Sequence, residues 1–217
     1  LRENLDAQGV VASVSDDLMG TAVIFYEGQE TNPNVRIMAA DKYYPEVNAL
    51  ELAHGRYFSP IELNEARAVA IIAPDVAQKL FPNGDAIGKR IRISGNKPYT
   101  VVGIAAPKGN SGFLASDNIV YLPLMTGHQD FGSPASSYVT SVMATDATQL
   151  DATIDQATAA MRAIRKLRPG EENNFNIRRS DSLAAILIES LSSVSMGAAL
   201  IGFITLLGAS VALMNIM

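Results

Sequence analysis

The chain has 217 residues, 48% hydrophobic and 18% charged, enough to bury a sizeable core as one domain or as two small lobes. Its 17 Lys and Arg against 22 Asp and Glu leave a formal charge of −5, which offers no footprint for a nucleic-acid backbone and excludes nucleic acid as a partner. With no cysteine, disulfides, thiolate metal sites and cysteine nucleophiles are excluded too, while any compartment remains open.

Residues 1–8 are charged and helix-compatible. The chain starts at Leu1 without a signal peptide, and we expect a fragment cut at both ends. Runs 10–14, 21–26 and 35–40 are β-prone and predict three strands, separated by Asp16-Asp17 and by the turn-rich 28–34. Pro45 suits the start of a short helix running to about Leu50, after which Gly55 and Ser59-Pro60 punctuate the chain.

A second module starts near Glu62. Residues 68–73 predict a buried strand, and Pro74 followed by Asp75, Val76, Ala77, Lys79, Leu80 and Phe81 predicts a short helix stopped at Pro82-Asn83-Gly84. The alternation Arg90-Ile91-Arg92-Ile93, the Gly95-Asn96 turn and 99–104 predict a hairpin. Loop 107–118 leads to a strand at 119–122, and a second loop spans 126–136.

The third segment reads as strand, helix, strand. Residues 138–144 are β-prone, and Leu150, Ile154, Ala157, Met161 and Ile164 share one helical stripe, with Thr148 and Asp151 as a capping-box-like start. Arg162, Arg165, Lys166 and Arg168 complement the helix C-terminus before Pro169-Gly170 stops it. Residues 175–179 are the returning strand, which a right-handed crossover would set parallel to 138–144.

Beyond this, Leu183, Leu187, Leu191 and Val194 recur at three- and four-residue steps, an amphipathic helix with no Pro between it and an apolar run at 196–217. Those 22 residues reach roughly 33 Å, enough for a hydrocarbon core of about 30 Å. The run predicts a membrane helix, with a buried core helix as the alternative. Ala198 and Gly202, four apart, form a small-residue pair for contact with another membrane helix.

Chemistry is sparse. Gly84 to Arg90 fails as a phosphate loop, because only three residues separate Gly84 from Gly88 and Arg90 stands where a Ser or Thr is required. His54 and His128 have no second ligand at metal spacing, and read as a polar turn and a Gly-rich loop. No serine lies in a nucleophile elbow, and Asp16-Asp17 and Glu171-Glu172 read as solvated pairs in turns. No catalytic, cofactor or metal residue is assigned.

In order, Gly55-Arg56-Tyr57-Phe58-Ser59, Ala77-x-Lys79-Leu80-Phe81, Ile87-Gly88-Lys89-x-Ile91-x-Ile93-x-Gly95 and Tyr99-x-Val101-Val102-Gly103-Ile104 resemble the successive signatures of the MacB-like periplasmic core domain. Val120-Tyr121-Leu122-Pro123 resembles its next strand, and Met214-Asn215-Ile216-Met217 the start of an FtsX-like permease helix. The likeness is strong over 55–123, and on the flanks rests on order and length. It departs at Gly208-Ala209-Ser210-Val211-Ala212, where the family's helix is often richer in glycine.

The resemblance implies an α+β fold. A porter-like βαβ lobe formed from both chain ends, residues 1–60 and 135–182, would carry an inserted β-rich lobe, 61–134. A stalk and a C-terminal helix entering the membrane, 183–217, would come last. It implies a non-catalytic extracytoplasmic domain of a mechanotransmission-type ABC permease, working as a dimer in the bacterial inner membrane. ATP and Mg²⁺ would be bound by a cytoplasmic ATPase, whose closure would move the domain through Leu183, Leu187, Leu191 and Val194. The same stripe reads equally as packing within the lobe. Other classes are a membrane-tethered regulator or lipoprotein-release module that recruits a partner or adaptor, and a soluble enzyme, which needs a pocket the sequence does not announce.

Overall fold

The structure is a computed structural model and describes residues 11–95, 97–107, 118–133, 136–144, 146, 149–179 and 205. The strands are β1 (Val11–Ala22), β2 (Ile24–Tyr26), β3 (Gln29–Glu30), β4 (Val35–Ala40), β5 (Leu52–Gly55), β6 (Val69–Ile72), β7 (Arg90–Ile93), β8 (Pro98–Ala105), β9 (Ile119–Pro123) and β10 (Tyr138–Met143). The helices are α1 (Tyr44–Val47), α2 (Pro60–Asn64), α3 (Pro74–Leu80), α4 (Leu124–Phe131) and α5 (Leu150–Ile164). All lie in the first of two compact units, Leu1–Lys166; the second is Leu167–Met217.

The strands form one sheet in the order β10-β1-β4-β9-β6-β8-β7-β2-β3, with β5 pairing β8 off this path. Pairs β4–β9 and β6–β8 are parallel. Strands expected in different lobes thus share a ladder, joined where Ile37 meets Val120 and Ala39 meets Leu122.

Near-continuous apolar runs make sense in strands covered on both faces. Val35 and Ile37, Ala70 and Ile72, and Val120 and Leu122 point to one face, where Val76, Leu80 and Phe81 pack. Ala40, Val69, Ile71, Ile119 and Tyr121 point to the other, against Tyr44, Leu50 and Phe58. Successive residues serve opposite cores because the side-chain period of a strand is two. At about 1.5–3 kcal/mol per fully buried large aliphatic side chain, these two layers dominate the stability of the sheet.

Several expectations are corrected. Asp16-Asp17 is no turn: β1 runs through it, because β10 and β4 hold it extended from both sides. Asp17 is paired with Arg36, and Asp16 is buried at 2% exposure. The expected loop at 126–136 is helix α4 as far as Phe131; its Gly127 serves packing rather than flexibility. His54 lies in β5, not in a turn, because it pairs with Ile104 of β8. Residues 175–179 are not a strand: no ladder partner holds them, and Ile177 is 43% exposed. Helix α5 begins after Gln149, which makes no side-chain cap; Thr148 lies outside the described residues. Among the described residues no helix is long and apolar enough to cross a membrane, and apart from Thr205 the run at 196–217 lies outside them.

Candidate functional site

Residues 55–59, the first stretch of the resemblance, start where the end of β5 pairs with Gly103 of β8. A Cβ at Gly55 would strike the Val102 carbonyl oxygen and come within 2.8 Å of the Gly103 Cα, and one at Gly103 would meet the Arg56 carbonyl oxygen at 2.7 Å. With φ at +83° as well, Gly55 is required twice over. The contact lets Arg56 N–H donate to the Val102 carbonyl at 3.0 Å.

The chain then turns into α2. Ser59 caps it, Pro60 takes the first turn, and Glu62 closes a capping box, accepting from Ser59 N–H at 2.8 Å. The signal, Ser-Pro-x-Glu, stands in the sequence, where Ser59-Pro60 alone reads only as punctuation. Arg56 donates both terminal nitrogens to Glu62, each at 2.7 Å, a forked pair that geometry makes stronger than a point contact. These bonds, the Arg56 pair first and then Ser59, pull the Glu62 carboxyl down to about 2, while burial opposes them.

Two further acids anchor the sheet. Asp41, at the end of β4, accepts from Ser13 Oγ at 2.9 Å, Val14 N–H at 3.0 Å and Tyr43 N–H at 3.1 Å, and so ties β1 to the start of α1. Tyr57 donates to the Asp41 carbonyl at 3.1 Å; burial, then the charge of Asp41, raises its phenol. Asp130 accepts from Tyr99 at 2.7 Å and pairs with Lys97 at 2.9 Å, which straps the last turn of α4 to β8. Burial first, and this bond second, raise the Tyr99 phenol. At its other end α4 is held by Thr126, which donates to the Arg67 carbonyl at 3.0 Å.

Under α4 lies Asp16. Across the ladder it faces Ala39 on one side and Tyr138 on the other, so the three share one face. Gly127 of α4 sits over Ala39 and Leu18, where a Cβ would come within 2.8 Å of both side chains. Tyr138 in turn makes a 3.1 Å hydrogen bond with His128 Nδ1. Asp16 Oδ2 has no hydrogen-bond partner among the described residues.

Between β5 and α3 runs an open groove of about 320 Å³, lined by Ala77, Phe81, Ala86 and Ile104 with His54 and Gln78. No Asp, Glu, Lys or Arg lines it among the described residues, so what it presents is apolar surface and two hydrogen-bonding side chains. Among the described residues no three His, Asp or Glu side chains are grouped to hold a metal. The stalk and membrane positions singled out from the sequence, Leu183, Leu187, Leu191, Val194, Ala198 and Gly202, lie outside the described residues.

Comparison with known proteins places this geometry. The chain is 32% identical over 180 residues to the pyoverdine export ATP-binding/permease protein PvdT of Pseudomonas syringae pv. tomato, covering 82% of this chain and 26% of that protein. It is 27% identical over 187 residues to the macrolide export ATP-binding/permease protein MacB of Chlorobaculum tepidum, covering 86% and 28%. The chain therefore spans little more than a quarter of the length of these curated relatives. Its fold matches the periplasmic region of MacB from Actinobacillus actinomycetemcomitans, with a TM-score of 0.65, 14% identity, and coverage of 85% of this chain and 81% of that one. It also matches the extracellular domain of the noncanonic ABC-type transporter YknZ from Gram-positive bacteria, with a TM-score of 0.60, 21% identity, and coverage of 76% and 84%. The model of the MacB-like periplasmic core domain matches residues 1–160, and the chain belongs to that family.

Proposed function

We propose that the domain is the extracytoplasmic part of an export permease in the bacterial inner membrane and that it transmits motion rather than making or breaking bonds. ATP hydrolysis by a cytoplasmic ABC ATPase would supply the work, a second permease copy would complete a dimer, and a periplasmic adaptor or lipoprotein would receive the displacement. Support comes from the family and from relatives named as export ATP-binding/permease proteins. The observation that carries it is the single hydrogen-bonded sheet that runs from β10 and β1 to β2 and β3, stiffened by apolar layers on both faces of its middle strands β4, β9, β6 and β8. Such a body moves as a lever, because close-packed interiors transmit displacement instead of absorbing it. The division into a porter-like lobe and an inserted lobe is part of this proposal.

The stalk residues Leu183, Leu187, Leu191 and Val194 would carry the movement to the sheet. In the full permease with its ATPase, Leu187→Asp should leave ATP hydrolysis in place and abolish export. Export at the wild-type rate in that variant would overturn the transmission role.

A further inference from the structure

Buried carboxylates in folded proteins are held by donors, as Asp41 is by three. Asp16 is the contrast: 2% exposed, with Oδ2 unpartnered among the described residues. Its position gives this meaning. The Asp16–Tyr138 pair is the last rung of the β1–β10 ladder, and the register of β1 against β4 shifts immediately afterwards, between Asp17 and Met19. On the face that Asp16 shares with Ala39, its neighbours are the end of β10 and, seated on Ala39 and Leu18, Gly127 of α4. Tyr138, at that end, is 49% exposed and joined to α4 through His128. The neighbouring pair Ser15–Val139 is likewise half open, with Val139 55% exposed.

We propose that this corner is a built-in opening point of the sheet, at which β10 parts from β1. Closing the corner strips water from Asp16 and gives its Oδ2 nothing in return; parting it hydrates the carboxylate. Closure is held by the Tyr138–His128 bond and by the seating of Gly127 on Ala39. Elsewhere the sheet has no such incentive, since among the described residues β4, β6, β8 and β9 bury no charged side chain. By sequence, β10 leads through α5 into residues 167–217. On the transmission reading above, a pull from the C-terminal side thus reaches the sheet first through the strand that parts most readily.

The test is amide hydrogen exchange at pH 7 on the full 217-residue chain in detergent, which needs no ATPase and no transport. Asp16→Asn keeps the shape and removes the charge, and should slow exchange of the β10 amides that bond β1 by tenfold or more, leaving β6 and β8 unchanged. Tyr138→Phe removes a bond made at the surface and should speed the same β10 amides several-fold. Unchanged or faster β10 exchange in Asp16→Asn would overturn the proposal. So would slowing of equal size in β6 and β8, which would mean general stabilisation. If Asp16→Asn does not fold, Tyr138→Phe decides alone, and unaltered β10 exchange in it counts against the idea. Transport lost in Leu187→Asp with these exchange results absent separates failure of the opening point from failure of the transmission role.

Discussion

Glu62 does three jobs with one carboxylate: it closes the α2 capping box, holds Arg56 in a fork, and so fixes the chain where β5 leaves β8. Its folded carboxyl lies at about 2, below the ordinary 4.5. A lowered acid stabilises the fold above its unfolded value, so this contribution is whole above about pH 4.5 and is lost as pH falls toward 2. Arg56 is 55% exposed, and screening keeps the ion pair's share small. Glu62→Gln should cost about 1 kcal/mol at pH 7, chiefly as a weakened cap, and should flatten the acid limb of stability between those two pH values, measured by urea titration. Half of this is legible in the sequence: Ser59-Pro60-x-Glu62 is a helix start on paper, whereas the reach of Arg56 across six residues depends on how β5 is aimed.

Among the elements, α4 shows how a residue type can mislead. Gly127 and Gly132 beside His128 have loop composition, yet the helix forms because a glycine lets it approach Ala39 and Leu18 closely and because Thr126 and Asp130 pin its two ends. Gly127→Val should lift α4 from the sheet and cost about 1–3 kcal/mol, seen as a lower urea midpoint, since Ala39 presents a Cβ that cannot rotate away. The hairpin β7–β8 is readable because Arg90-Ile91-Arg92-Ile93 alternates with the period of a half-buried strand. Residues 175–179 have a similar composition and no partner strand. Composition alone cannot supply a ladder.

For the whole molecule, one sheet implies one cooperative event across the first unit. Ile37, fully buried in β4, meets Met19 of β1 and Val120 of β9, near the middle of the strand order. Ile37→Ala should lose about 2–5 kcal/mol and lower a single urea transition reported alike by probes in β10 and in β7. Two separated transitions would show that the lobes fold independently. The amino-acid sequence by itself determined most of the strand segments, the family, and the absence of a nucleic-acid footprint, because periodicity, spacing and charge are local or additive properties. Only the tertiary structure decided that Asp16 is buried beside Tyr138, that Gly55 pairs with Gly103, and that β4 lies against β9. Each depends on residues far apart in the chain being brought together, and burial is a property of neighbours rather than of the residue that is buried.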